Sequence, residues 1–477
     1  MKTIKYLMLG FVLIFGISAC ELPDNVDPKN PSEVPPATLF TNGMVYLFNQ
    51  VDDVNVNRNT FRLVVQYWQQ TTYFDESRYL FQDRKIPDNY MDRFYRWSIM
   101  DLEEAKKIYQ SGEVGGDPDE INNMINIIEI CQVYGWHCIV DAFGDMPYSE
   151  ALGGADNSAP VYDDAAEIYA DIIDRLDVAL GALDAGAGSF GAADVMYGGD
   201  VASWKKFGAT LMLRLGMRLA DVNSALSTST VNKAIQHGVY ESQAESGIMH
   251  YAGVVPHVNA IYNHYTVDNR ADYLPTNTII DMMKEMEDPR LALYFTEYEG
   301  EYIGAVAGLD GAQSYPNFSH FQDVFFEPTF PAIINDYVEV LFLMSEAAQR
   351  GGYNTSMSAA EYYNMAVTES ILYWGGTEDD ASTYLAAHGY DAGNWKMSIG
   401  TQKWIALYNR GIEGWTEWRR LDYPELNVPE NMTYGDIPKR LPYPYDEIAQ
   451  NGANYYAAVD KMGGTDDHRQ RVFWDTE

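Results

Sequence analysis

Apolar residues recur at helical spacing in successive helix pairs, and this is the feature that most constrains the fold of the chain. In each pair an amphipathic stretch is followed by a turn and a second amphipathic stretch. The predicted pairs are 121–142 with 165–183, 204–222 with 231–237, and 337–349 with 359–373. Small residues such as Ala347, Ala348 and Ala366 stand where two helices would approach closely. Because stacked pairs bury a continuous core between them, the pattern predicts a tetratricopeptide-like scaffold.

Two regions without this periodicity interrupt the predicted scaffold. Residues 240–335 and 423–477 are rich in Gly, Pro, Tyr and Asn, and only 278–286 is predicted there as a helix. Further helices are predicted over 37–51, 61–70 and 90–110. We expect an all-α dominated fold with a single domain over 37–477. Its helical scaffold would span roughly 37–239 and 336–422, and a large loop-rich lobe roughly 240–335 and 423–477.

The first twenty residues predict export and lipid anchoring. Lys2 and Lys5 precede an apolar stretch over 7–17, which suits a signal-peptide core and is too short to span a bilayer. Small residues then lead into Cys20, as in a bacterial lipobox. We expect a signal peptide at 1–19, lipidation of Cys20, and an extended lipidated tether at 20–36. The alternative is an ordinary signal peptide with a chance cysteine.

The charge balance excludes some classes of partner. The chain has 32 basic and 69 acidic residues, a net charge of −37. Nucleic acid and anionic lipid surfaces both require a basic surface, so neither is an expected partner, and the membrane would be reached through the lipid anchor only. Cys131 and Cys138 lie on one predicted helix with their Cα atoms about 10 Å apart, too far for a disulfide, so we expect two buried free thiols.

Known catalytic and metal-binding signatures are missing from the sequence. It contains no His-Glu-x-x-His, no Gly-x-Ser-x-Gly and no Gly-rich phosphate loop. His250, His257 and His264 recur every seven residues, but in a region that is not predicted as one helix. We therefore predict no catalytic residue, no metal and no cofactor.

One segment partly resembles a calcium-binding loop. Asp53-x-Asn55-x-Asn57 matches its beginning, but Arg58 and Val64 occupy the positions that require Gly and Glu. The sequence excludes an EF-hand, while a calcium held by scattered loop oxygens stays an open alternative.

Two glutamates on a predicted helix are spaced like the carboxylates of a glycosidase. Glu413 and Glu417 stand four residues apart beside Arg410, Arg419 and Arg420. The arginines favour structural ion pairing over catalysis.

A series of motifs resembles the SusD-like (SusD/RagB) outer-membrane lipoproteins of Bacteroidetes. They occur in the family's order along nearly the whole chain, and the match at 472–475 departs from the family pattern by one aromatic residue, Phe473 in place of tryptophan. The motifs are DPKNP at 27–31, PPA at 35–37, DAFGDMPY at 141–148, DPRL at 288–291, SEAAQRG at 345–351, EGWTEWRR at 413–420, RLPYP at 440–444 with Glu447, and VFWD at 472–475.

The resemblance implies a tetratricopeptide-like helical fold with a loop-rich ligand-binding lobe and no catalytic activity. It also implies a lipid-anchored, surface-exposed location at the outer membrane. The implied function is binding of a nutrient oligosaccharide and its delivery to a partner, a SusC-type TonB-dependent transporter. A peptide ligand, a surface α-helical glycosidase and a purely structural module are the alternatives.

Ligand-binding residues do not transfer from the family by position, so they are predicted from chemistry. Sugars require flat aromatic faces together with planar polar groups that pair with hydroxyls. Two loop clusters offer both, although packing in the core is the alternative for each residue. The first cluster is Trp68, Tyr73, Arg78 and Tyr79, and the second is Asn259, Tyr262, Asn263, His264 and Tyr265 with Tyr315 and Asn317.

Overall fold

The computed structural model describes residues 34–310, 313–432 and 435–476. The predicted signal peptide, the lipidation site Cys20 and the tether up to residue 33 lie outside the described residues. No helix in the described ranges is both long enough and apolar enough to cross a membrane.

Helices dominate the described chain, and its strands are short. The helices are α1 (Pro36–Asp52), α2 (Phe61–Val64), α3 (Ile86–Phe94), α4 (Met100–Gln110), α5 (Pro118–Phe143), α6 (Ala165–Ala182), α7 (Val201–Arg218), α8 (Ser224–His237), α9 (Ala260–Tyr262), α10 (Asn277–Glu285), α11 (Arg290–Tyr294), α12 (Tyr337–Arg350), α13 (Ala359–Tyr373), α14 (Glu378–Ala387), α15 (Trp395–Ala406), α16 (Gly411–Leu421), α17 (Glu447–Gln450) and α18 (Gly452–Lys461). The strands are β1 (Trp68–Gln70), β2 (Met146–Pro147), β3 (Tyr162–Asp163), β4 (Gly247–Met249), β5 (Tyr273–Pro275) and β6 (Ala332–Asn335). They form antiparallel two-stranded sheets that pair β1 with β5, β2 with β3 and β4 with β6.

The predicted helix pairs are confirmed: α5 packs on α6, α7 on α8, and α12 on α13. Ala347 and Ala366 are fully buried between helices, as their size predicts. The helix α8 begins earlier than predicted because Asn223 caps it and its first turns are Ser- and Thr-rich, which weakens the apolar pattern there.

Polar caps determine where several scaffold helices begin. The Asp117 side chain accepts a hydrogen bond from the Asp119 N–H at the start of α5, and Pro118 occupies the first turn. A capping box between Ser358 and Glu361 opens α13 at the predicted residue.

The predicted helix over 61–70 is wrong beyond its first turn. Helix α2 ends at Val64, Gln66 adopts a left-handed backbone conformation (φ 59°), and β1 begins at Trp68. Tertiary contacts hold this turn: Thr278 donates to Gln66 Oε1 at 2.6 Å, and Gln66 Nε2 donates to the Asn427 carbonyl at 2.6 Å. Local periodicity could not show these partners, since they lie far away in the chain.

Two further helical segments differ from the sequence prediction. The helix predicted over 90–110 begins earlier, at Ile86, and contains a π-helical segment over Tyr95–Ile99 between α3 and α4. The stretch after 423 was predicted as loops but contains α17 and α18.

Buried ion pairs join the scaffold helices. Arg218 of α7 donates to both Glu413 oxygens at 2.7 and 2.6 Å, and Arg420 pairs with Glu417 at 2.6 Å. The structural role predicted for the two glutamates is therefore confirmed. Arg420 is one of the predicted partners, whereas Glu413 pairs with the distant Arg218, and Arg410 pairs with Asp336 at 3.0 Å.

Both cysteines of α5 are buried free thiols, as predicted. Burial raises the pKa of each thiol above its ordinary value, so neither is a reactive thiolate at neutral pH.

Candidate functional site

An open groove of about 510 Å³ lies where the end of α1 meets the loop-rich region. One wall is formed by α1 and the loop that follows it, and the other by the irregular segment before β5. The side chains that line it include Tyr46, Asn49, Gln50, Asp53, Asn55, Asn57, Arg58, Gln70, Tyr73, Arg84, Arg93, Tyr251, Asn263, His264, Asp268, Arg270, Asp272 and Tyr273.

The pairing of β1 with β5 brings the two predicted aromatic clusters together. Trp68 lies opposite Pro275 and Gln70 opposite Tyr273. Just beyond the sheet, Thr71 donates its N–H to the Asp272 carbonyl at 2.8 Å and its hydroxyl to the Ala271 carbonyl at 2.8 Å. Chain segments about 200 residues apart thus meet at the base of the groove.

The loop after α1 is shaped by its own polar side chains. The Asp53 carboxylate accepts from the Asn55 N–H at 2.9 Å, and the Asn55 side chain accepts from the Asn57 N–H at 3.0 Å. These consecutive Asx turns direct the loop along the groove, and Arg58 returns to pair with Asp53 at 2.7 Å. The Oδ1 atom of Asn57 is buried and has no hydrogen-bond partner in the described chain.

Aromatic rings are available along the groove and at its rim. Tyr73 is 61% exposed, with the Arg84 guanidinium 5.1 Å from its ring centroid. Tyr46 lies 5.4 Å from Trp97, which is 38% exposed on the π-helical segment just outside the groove. Such open faces can stack on a flat ligand.

The groove carries several paired charges. Arg84 contacts the buried Glu76 at 2.9 Å, and Arg270 contacts Asp272 at 2.5 Å. Its hydrogen bond to Asp272 raises the pKa of Arg270 above its ordinary value, so this guanidinium stays charged.

A buried carboxylate, that of Asp52, contacts residues that form and support the groove. Asp52, at the end of α1, accepts from Asn259 at 2.6 Å and lies 3.3 Å from Arg62. Tyr251, which lines the groove, is 3.4 Å from the same carboxylate and donates to Asn49 at 3.0 Å. Burial outweighs the attraction to Arg62 and raises the pKa of Asp52 to about 6.

Three residues of the predicted clusters, Tyr73, Asn263 and His264, line the groove. His264 lies 3.4 Å from Asp272, and burial lowers its pKa, so its ring is neutral at pH 7. The prediction that these residues contact ligand stays a prediction.

Three other predicted residues are built into the core and offer no open face. Trp68 packs against Tyr273 and Phe321 with ring centroids 5.3 and 5.0 Å apart. Tyr79 is 1% exposed. Asn259 is buried and caps α9 by accepting from the Ile261 N–H at 2.7 Å. For all three, the packing alternative describes the structure.

The remaining predicted residues lie outside the groove lining. Arg78 pairs with Asp310 at 2.5 Å, and the Tyr265 hydroxyl donates to the Tyr273 carbonyl at 2.8 Å. Tyr315 stacks on His320 with ring centroids 4.1 Å apart. Tyr262 is half-buried and Asn317 is exposed.

Sequence reasoning missed most of the α1 wall. The sequence pattern at these positions resembles only a calcium loop, although a run of short polar side chains also indicates a binding loop. The residues are Asp53, Asn55, Asn57 and Arg58. Arg93 follows no local signal, because tertiary packing alone brings it to the groove.

The described part of the chain contains no cluster of side chains suited to binding a metal ion. No group of three or more His, Cys, Asp or Glu side chains is arranged to hold one there.

Comparison with known proteins gives consistent matches over most of the chain. The SusD-like family profile described as "Starch-binding associating with outer membrane" matches residues 28–444. A structure titled "chitin-binding protein" is 28% identical with a TM-score of 0.80, covering 93% of this chain and 100% of its own.

Two further structures have the same fold. A chitin-binding SusD homolog from Flavobacterium johnsoniae is 25% identical with a TM-score of 0.78, covering 91% of this chain and 98% of its own. A SusD homolog from Bacteroides uniformis is 24% identical with a TM-score of 0.76, covering 94% and 100%. A comparison with curated protein sequences gives no match.

Proposed function

The chain belongs to the SusD-like family, and we propose from this premise that it binds a nutrient oligosaccharide in the groove beside α1 and delivers it to a SusC-type TonB-dependent transporter. The family's description supports glycan binding and association with the outer membrane. Lipid anchoring through Cys20 and the transporter partner are parts of the proposal.

The observation that carries the proposal is the chemistry of the groove lining. Tyrosine rings line it together with amide side chains, those of Asn49, Gln50, Asn57 and Asn263. Amide groups both donate and accept, so they can pair with the hydroxyls at a sugar's edge while a ring covers its face.

Chito-oligosaccharides are the first ligands to test. Two of the matched structures are described as chitin-binding, at 28% and 25% identity. N-acetyl groups add an amide to each sugar, which suits a groove rich in amide side chains. Isothermal titration calorimetry with chitotetraose, maltotetraose and a short peptide would separate the glycan from the peptide alternative.

Tyr73→Ala tests whether the groove is the binding site. The ring is exposed and its removal keeps Cβ, so the backbone conformation (φ 57°) is preserved. Loss of one stacking face predicts roughly two- to tenfold weaker binding with an unchanged melting temperature.

The matched control is Tyr456→Ala, which removes an equally exposed tyrosine (55%) from α18, away from the groove. Its affinity should equal that of the unaltered protein. Equal affinities for both variants would refute the groove as the site.

The same preparation distinguishes binding from catalysis. The purified protein, incubated with each bound oligosaccharide, should release no reducing ends above background, and release would overturn the binder-only proposal. Co-purification with a membrane-extracted TonB-dependent barrel would support the delivery step.

A further inference from the structure

Three of the four arginines that line the groove face a carboxylate. The pairs are Arg58 with Asp53 at 2.7 Å, Arg84 with Glu76 at 2.9 Å, and Arg270 with Asp272 at 2.5 Å. Each of these guanidinium charges is therefore balanced within the protein.

Arg93, near the end of α3, is different. Its side chain takes part in no ion pair or hydrogen bond within the described residues. It lies over two aromatic rings instead, 5.3 Å from the Tyr46 centroid and 5.8 Å from the Trp97 centroid. Burial, together with the nearby charge of Arg58, lowers the pKa of Arg93 below its ordinary value. A half-buried guanidinium thus lies over two rings, with Asp53 and Asp92 nearby but neither in a direct ion pair with it.

Such an arrangement has an energetic cost that a bound anion would offset. Removing a charge from water is unfavourable unless it is paired, and a guanidinium can bind a carboxylate or sulfate through two parallel hydrogen bonds. The two rings limit the orientations of the guanidinium, so little ordering would be required on binding.

The net charge of −37 does not prevent an anion from binding at Arg93. At physiological ionic strength the screening length is about 8 Å, so most of the acidic surface is screened from a ligand in the groove. Asp268 is the lining carboxylate left without a basic partner among the described residues. It is exposed and accepts from Asn263 at 3.0 Å on the opposite wall, the loop before β5.

We propose that the groove selects oligosaccharides that carry an anionic substituent, a carboxylate or a sulfate, and that the Arg93 guanidinium binds this substituent. The inference rests on the proposed function, because it names a ligand class for the same groove. Arg93 would then determine specificity, while the amides and rings of the groove bind the neutral parts of the glycan.

Matched oligosaccharide pairs test the proposal by calorimetry. One pair is chitotetraose with and without 6-O-sulfate, and the other is tetragalacturonate with and without reduction of its carboxylates. The proposal expects the anionic member of at least one pair to bind more tightly, and the better pair separates sulfate from carboxylate.

Arg93→Met keeps the aliphatic stem and removes the charge. It should weaken binding of the anionic member by about 10- to 100-fold and leave the neutral member unchanged. Arg96→Met is the matched control, because Arg96 also lies near Trp97, at 5.4 Å, yet is absent from the groove lining. Its affinities should be unaltered, and melting curves would verify the fold of both variants.

The possible results separate the two proposals. If neutral members bind as well as anionic ones, or if Arg93→Met changes neither, the inference about Arg93 is overturned and glycan binding stands. If no oligosaccharide binds at millimolar concentration, the proposed function fails and the inference fails with it.

Discussion

Glu339→Gln should destabilise the protein more than the loss of any exposed ion pair. Glu339 of α12 is fully buried and accepts from Arg214 of α7 at 2.6 and 2.7 Å. It also accepts from Arg410, immediately before α16. The substitution keeps the volume of the side chain and removes the charge that two buried guanidinium groups share.

The magnitude follows from what remains around those groups. Arg214 retains Glu413 at 3.6 Å, and Arg410 retains Asp336 at 3.0 Å, so neither is left wholly unpaired. Breaking a buried pair costs about 3–5 kcal/mol, and the remaining partners place this variant near 3 kcal/mol. Unfolding entropy is of order 1 kcal/mol/K for a chain of this size, which converts the loss to a melting temperature lower by about 3 °C.

Differential scanning calorimetry would measure the shift, with Asp446→Asn as control. Asp446 pairs with Lys85 at 2.5 Å, but both side chains are about half exposed, so its loss should cost under about 1 kcal/mol. Equal shifts for the two variants would refute the reasoning from burial.

The pH dependence of Glu339→Gln gives a second check. Burial alone would raise the pKa of Glu339, but Arg214 and Arg410 lower it below the ordinary 4.5. A lowered pKa contributes stability that is present above about pH 4.5 and is lost as the pH falls. The difference between the unaltered protein and the variant should therefore shrink in acid.

Three further predictions concern stability and reactivity. Burial raises the pKa of Asp52 from 3.8 to about 6. Its contribution to the free energy of unfolding should therefore be full below about pH 3.8 and fall by about 3 kcal/mol as the pH rises through 6. Urea titration of the unaltered protein and of Asp52→Asn would measure this contribution. Gly414→Ala should lower the free energy of unfolding by about 1–3 kcal/mol in the same assay, because the new Cβ would lie 2.5 Å from the Tyr67 hydroxyl. The control is Gly181→Ala in α6, whose Cβ would meet nothing within 4 Å, so this variant should be more stable by up to about 1 kcal/mol. The two buried cysteines should react with a thiol reagent only after unfolding, and reaction in the native state would contradict their burial.

Helices with strong periodicity and polar caps could be predicted from the sequence, and those shaped by distant contacts could not. Helix α13 matches its predicted bounds because its capping box and apolar stripe are both local. The helix prediction for the segment after α2 is wrong because Gln66 leaves the helix and forms hydrogen bonds with Thr278 and Asn427, and no local pattern shows these partners. The ionic role of Glu413 was predictable, but its partner Arg218 lies on a helix nearly 200 residues away.

The groove draws side chains from both predicted clusters, but the sequence does not show which of them have open faces. Tyr73 of the first predicted cluster and Asn263 and His264 of the second line the groove near the pairing of β1 with β5, but composition alone does not show which aromatic residue is buried. Trp68 packs in the core, whereas Tyr73, five residues later, is exposed. All three residues of β1, from Trp68 to Gln70, are buried, and Tyr73 follows the strand in a left-handed backbone conformation (φ 57°) that the local sequence does not reveal.

The position of the groove depends on buried residues that do not face a ligand. Arg62 donates to the Asn409 carbonyl at 2.8 Å and to the Asp53 carbonyl at 2.9 Å, and so ties the loop after α1 to the segment before α16. Burial outweighs the attraction of Arg62 for Asp52, as the raised pKa of Asp52 shows, so this pair adds little net stability. Its effect is to hold α1, the Asx-turn loop and Asn259 in one arrangement. Lining side chains such as Arg93 can therefore determine which ligand binds, while the buried pair determines where the lining lies.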